Sequence, residues 1–275
     1  MRCKGVVDFF GNLNIILSLH MSRPLFYLYL LFVAVFLLMH GAGLAAGQLP
    51  YICNALISFS VVLLALLFAE KWYSGNPFTK IMDDLGFRRA HFTRIVPGII
   101  ISTALLLLYP VLGYLLHTEM VLHDSWLPNL IGICLTGGLM EEMFFRGFLF
   151  RHLRESMHFR KAVLVSAILF TAAHLLLFTY MDWAIALSST LLAVFMSVPL
   201  AWLFERGGNT VWSPALLHAT IRTIGLVVTT SEAHFMPLAL LWMLGGMVVP
   251  YLVLLFYSDF RNIWKRSVAQ SGTKQ

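Results

Sequence analysis

The chain has 275 residues, of which 59% are hydrophobic and only 12% charged, where a soluble domain carries about 25% charged residues. With a mean hydropathy of +0.81, this excludes a soluble enzyme and points to an all-α polytopic membrane protein. The net charge of +6 does not indicate nucleic acid, because the basic residues gather in alternate loops between apolar runs.

In chain order, residues 1–23 form a short mixed segment, read as cytoplasmic or interfacial rather than as a cleaved signal. Residues 24–256 then form a single membrane domain of eight predicted spans, each near the roughly 20 residues that cross the hydrocarbon core. Spans one to three run from Pro24 to about Gly47, Tyr51 to Ala69, and Ile95 to Leu116. Pro110 is expected to kink the third. Between spans two and three, Phe78 to Phe87 reads as a short amphipathic helix at the membrane surface, stopped by Gly86. Spans four to six run from Leu127 to Phe150, Ala162 to Phe178, and Ala184 to Leu203, and spans seven and eight from Val211 to Thr230 and Met236 to Phe256. Residues 257–275 are a basic tail. Lys and Arg outside the spans fall in the N-terminal segment, loops two, four and six, and the tail, and none in loops one, three, five or seven. By the positive-inside rule both termini are cytoplasmic. No internal repeat is strong enough to suggest an inverted-repeat transporter.

The costliest stretch to bury is Gly137 to Phe150, GGLMEEMFFRGFLF. Ionisable groups inside a membrane helix are expensive and mark function by default. Glu142 and Arg146 are four apart and share a helical face, which leaves Glu141 pointing elsewhere. Span five adds His174, and span seven adds His218 and Arg222. Counted along their helices, these residues reach comparable depths, which places one site in the cytoplasmic half of the membrane. Two carboxylates and two imidazoles at one depth are the parts of a hydrolytic site. A carboxylate takes a proton from water while a histidine holds that water, and a guanidinium or second imidazole stabilises the oxyanion. His40, late in span one, is read as a polar contact between helices. Cys3, Cys53 and Cys134 have no metal-ligand spacing. Cys134 is read as a small buried core residue rather than a nucleophile.

The motifs resemble those of the membrane-embedded CAAX prenyl protease two, bacteriocin-processing and self-immunity family. Glu-Glu-x-x-x-Arg is present as Glu141, Glu142 and Arg146, Phe-x-x-x-His as Phe170 and His174, and the histidine of His-x-x-x-Asn/Asp as His218. Arg222 stands where the third motif has a short amide or carboxylate. The resemblance spans about 127–230. It implies an intramembrane endopeptidase in which Glu141 is the general base and His174 holds the water. By the same likeness His218 donates to the oxyanion or orients the site, Glu142 and Arg146 organise it, and Phe170 lines the substrate pocket. The implied partner is a membrane-associated protein or peptide, with lipidated substrates among the family's known ones, and the implied location is a bacterial or archaeal plasma membrane. No cofactor is expected. The alternatives are a zinc enzyme with Glu141, His174 and His218 as ligands, a transporter using the Glu–Arg pair as a gate, and a non-catalytic immunity protein. Arg222 also leaves a pseudoenzyme open.

Overall fold

The computed structural model describes residues 23–263. The N-terminal segment, with Cys3, and the end of the basic tail lie outside the described residues. The described chain is all-α apart from one two-residue ladder, and six of its helices are long and apolar enough to cross a membrane.

Helix α1 (Arg23–Ala45) and α2 (Tyr51–Ser74) form an antiparallel hairpin. A short α3 (Phe78–Met82) follows and continues through one wide turn that Gly86 ends at φ 99°. Gly86 is needed there, since a side chain at that φ is strained and would also meet Val211. This segment is two-faced, as its amphipathic pattern suggested, with Phe78, Thr79, Lys80 and Asp83 exposed. Ile81 and Leu85 are fully buried, and the Leu85 backbone packs directly on Gly147, where there is no room for a Cβ.

The third span is broken as expected. It runs as α4 (Phe92–Leu106) and α5 (Leu108–Leu115). The break lies just before Pro110, which has no N–H to donate and crowds the carbonyl four residues back. The fourth span is a continuous helical column, opening as α6 (Trp126–Ile133) and closing as α7 (Arg151–Ser156). Between them the column takes π-helical register over Cys134–Met140 and Met143–Phe150, on either side of the two glutamates. Such widened turns are rare and occur often at functional sites. Helix α8 (Phe159–His174) tightens into a 3-10 turn over Leu175–Thr179. Asp182 then caps α9 (Trp183–Arg206) by accepting from the Ala184 amide at 2.8 Å.

The seventh predicted span is not a full helix. Only α10 (Trp212–Ile221) is helical, roughly 15 Å at the helical rise. The chain then turns and pairs β2 (Val228–Thr229) with β1 (Val121–Leu122) in antiparallel register. Non-helical backbone at this depth is tolerated where protein covers it, and here Tyr109 meets Thr223 at 2.8 Å while Asn129 donates to the Leu226 carbonyl at 2.7 Å. Helix α11 (Glu232–Leu254) and a short α12 (Ser258–Arg261) complete the described chain.

The loops sort into two ends. At one, Arg151 donates to Glu70 at 2.7 Å, Arg206 to Asp259 at 2.8 Å, and the Trp212 indole to the Arg88 carbonyl at 3.0 Å. These contacts join loops two, four and six to the start of the tail, so the basic loops share one end. At the other, the β1–β2 ladder and a 2.7 Å contact between Thr118 and Thr230 join loops three and seven.

Two smaller expectations change. Cys134 is exposed on the outer face of its helix rather than buried. His40 lies against Phe36 with ring centroids 4.5 Å apart and the planes tilted by 42°, and its Nδ1 has no hydrogen-bond partner among the described residues.

Candidate active site

Three helical segments deliver the predicted residues to one place. The α6–α7 column carries Glu141, Glu142 and Arg146, α8 ends on His174, and α10 carries His218 with Arg222 as the residue after its last turn. Glycines make the approach possible. Gly138 sits against the Ala215 carbonyl, and Gly137 leaves the space through which the Arg222 side chain passes. A methyl group at 137 would overlap the Arg222 Cδ.

Glu142 is the buried hub, with no exposed surface. Its Oε1 accepts from Arg146 at 3.2 Å and from His218 Nδ1 at 2.7 Å. The spacing-based pairing of Glu142 with Arg146 is therefore present. Both charges are withdrawn from water, a state that persists only when each is paired and hydrogen-bonded. The Arg146 guanidinium also lies 4.5 Å from the centre of the Phe170 ring, a favourable cation–π position.

Glu141 is not free, as the helical geometry alone suggested. Its Oε1 accepts from Arg222 at 2.7 Å, and its Oε2 lies 3.7 Å from His218 Nε2. Arg222 thus pairs with Glu141 rather than Glu142. A chain of contacts runs from Arg146 through Glu142, His218 and Glu141 to Arg222. With neutral histidines it sums to zero charge, two carboxylates against two guanidiniums.

The histidine tautomers follow from their partners. The His174 Nδ1 is 2.9 Å from the Phe170 carbonyl, which only accepts, so Nδ1 carries the proton and Nε2 keeps its lone pair. His218 has its Nδ1–H turned to the Glu142 carboxylate. When neutral, its Nε2 is an acceptor, and it donates there only as imidazolium. Phe170 is 2% exposed. Its ring stands edge-on to His174 at 4.7 Å and to His218 at 6.0 Å. It braces the two imidazoles and Arg146 together.

Among the described residues, no three His, Cys, Asp or Glu side chains converge as a metal-ligand set. The alternative zinc ligands have partners at one atom each: a guanidinium covers Glu141 Oε1, and both histidine Nδ1 atoms are held. Glu141 Oε2 and the two histidine Nε2 atoms are the donors that would hold a metal.

Other residues of the site neighbourhood carried no sequence signal. Tyr51, at the start of α2, meets Thr136 at 3.2 Å, and both Tyr51 and Tyr180 lie near Arg222. A second buried cluster lies at the basic end, where Glu70 is fully buried and meets Arg151 at 2.7 Å and His152 at 2.8 Å. Glu70 reads as a loop residue because the apolar run stops at Ala69, yet the helix continues to Ser74.

The charge-balanced cluster is carried on three helical segments of one bundle of apolar helices. Residues 123–224 match the family model described as Type II CAAX prenyl endopeptidase Rce1-like. Every residue of the cluster falls within the matched stretch. No curated protein and no solved structure matches the chain.

Proposed function

We propose that the chain is an intramembrane endopeptidase that cleaves a peptide bond of a membrane-associated substrate with carboxylate-activated water. The observation that carries this reading is the contact chain Arg146–Glu142–His218–Glu141–Arg222, with the His174 imidazole beside it. Glu141 takes a proton from water through Oε2, the oxygen not bonded to Arg222. His174 Nε2 accepts the water's other hydrogen and orients it. The water oxygen adds to the carbonyl carbon, and the negative charge moves to the carbonyl oxygen. Glu141 then returns its proton to the amide nitrogen, and the C–N bond breaks.

Charge balance gives Arg222 its role. Once Glu141 is protonated, its hold on Arg222 weakens, and the guanidinium turns to the oxyanion that has just formed. The cluster is neutral before the step and neutral with the oxyanion in place. Neutral His218 cannot donate to that oxygen; its Nδ1–H holds Glu142, and its Nε2 can accept from Glu141 once that carboxyl has taken the proton. Glu142, Arg146 and Phe170 hold the geometry. Eight crossings follow if the α6–α7 column and the segment containing α10 each traverse the membrane, and the grouping of basic loops at one end fits a cytoplasmic location for both termini.

The Arg222–Glu141 ion pair also favours one rival, a non-catalytic member whose base is permanently neutralised. Glu141→Gln separates the two. It keeps shape and hydrogen-bonding capacity but removes the base, and cleavage of a quenched-fluorescence peptide library should fall by at least about 100-fold, the low end for losing a general base. A parent protein with no cleavage above the variant favours the non-catalytic reading.

A further inference from the structure

The burial around the cluster is one-sided. Toward the basic end it is sealed. Phe144, Phe145, Phe148 and Phe150 are each 1% exposed or less, Glu142 is fully buried, and Leu85 is pressed on Gly147. Away from the basic end, exposure rises. The Glu141 side chain is 14% exposed and that of Arg222 is 37% exposed. Past them stand Thr136, Tyr51 at the outer start of α2, and Tyr180, which is 72% exposed in loop five.

Depth is compatible. Glu141 lies fifteen residues from Trp126 and fifteen from Ser156, the two ends of its column. His174 lies fifteen residues along α8 from Phe159 and His218 six along α10 from Trp212, so the cluster straddles the middle of the bundle. A guanidinium that is more than a third exposed is costly against lipid, and charged groups within the membrane face the bundle interior or a water-filled cavity. Arg222 also uses only one of its five N–H donors on a side chain of the described protein. Exposed aromatics at that end, Tyr114, Trp126, Tyr180 and Trp183, match the belt that marks a membrane–water interface.

We propose that the cluster opens to water on the face opposite the basic loops, through a mouth formed by Tyr51, Thr136, Tyr180 and Arg222, and that it receives a peptide segment presented from that face. By the charge rule this face is non-cytoplasmic, so the substrate is an exported or outward-facing segment. The substrate part rests on the hydrolase reading, and the water access does not.

The test uses the full chain with Cys3, Cys53 and Cys134 replaced by Ser. Lys161→Cys marks the basic face and Met181→Cys the opposite one. Thr136→Cys, or Tyr51→Cys if that variant is poorly made, reports the mouth to a membrane-impermeant thiol reagent in sealed vesicles of each orientation. The mouth cysteine should label from the Met181 face and lose all labelling from the Lys161 face. A quenched-fluorescence peptide library should be cleaved only when added to the Met181 face. Labelling from the Lys161 face, from both faces or from neither overturns the proposal, as does cleavage from the Lys161 face. Labelling from the Met181 face with no cleavage from either leaves the water access standing and removes the hydrolase reading.

Discussion

Arg222 passes over Gly137 and donates to Glu141 at 2.7 Å. The residue that departs from the resembled motif thus engages the carboxylate expected to act as base. A longer, permanently charged side chain fits this position because the neighbouring helix has no Cβ at 137.

If Arg222 stabilises the oxyanion, Arg222→Ala should lower kcat roughly 100-fold or more, the usual cost of one lost oxyanion donor. Arg222→Asn restores a neutral donor and should keep part of the rate. Equal and full activity in both variants would show that Arg222 donates nothing in the transition state.

Gly137 is a positioning residue for Arg222. Gly137→Ala should reduce kcat by displacing the guanidinium while leaving the chain inserted and folded. In an Arg222→Asn background the same change should cost little, because the shorter side chain does not cross residue 137. Equal losses in the two backgrounds would mean that residue 137 acts through helix packing instead.

Glu142→Gln leaves Arg146 buried without its anionic partner. Breaking a buried pair by removing one partner costs about 3–5 kcal/mol, so thermal melting in detergent should fall well below that of Glu141→Gln. Similar melting of the two variants would contradict the assignment of Glu142 as the structural hub.

Glu70→Gln disturbs the cluster of Arg151 and His152 at the sealed end. It should lower the melting temperature and the yield of inserted protein, while kcat of the surviving fraction stays near the parent value. A selective loss of kcat would tie this cluster to the reaction.

Chelation should leave cleavage unchanged, because in the proposed mechanism Glu141 and His174 hold the attacking water by themselves. Metal analysis finding one tightly held zinc per chain, with activity lost on its removal, would replace that mechanism with one in which Glu141 Oε2 and the two histidine Nε2 atoms hold the metal.

Much of the architecture was legible in residue order. Apolar runs of the right length, the one-sided basic loops and the kink near Pro110 all follow from local composition and from the cost of burying charge or losing a backbone donor. The Glu142–Arg146 pair was legible too, since a four-residue spacing on a helix is enough to bring the two side chains together. The seventh span was not. Its residues are mostly apolar, and hydropathy does not distinguish a helix from non-helical chain that neighbouring helices cover.

The sequence by itself determined a membrane bundle and named the ionisable residues that such a bundle cannot bury without partners. Only the tertiary structure decided who partners whom. Glu141 with Arg222, His218 with Glu142 and Glu70 with Arg151 are separated by 76 to 81 residues, and no local periodicity encodes contacts between different helices. The proposed opening rests on tertiary packing as well. It depends on which flank the phenylalanines of the α6–α7 column seal and which flank leaves Arg222 partly exposed.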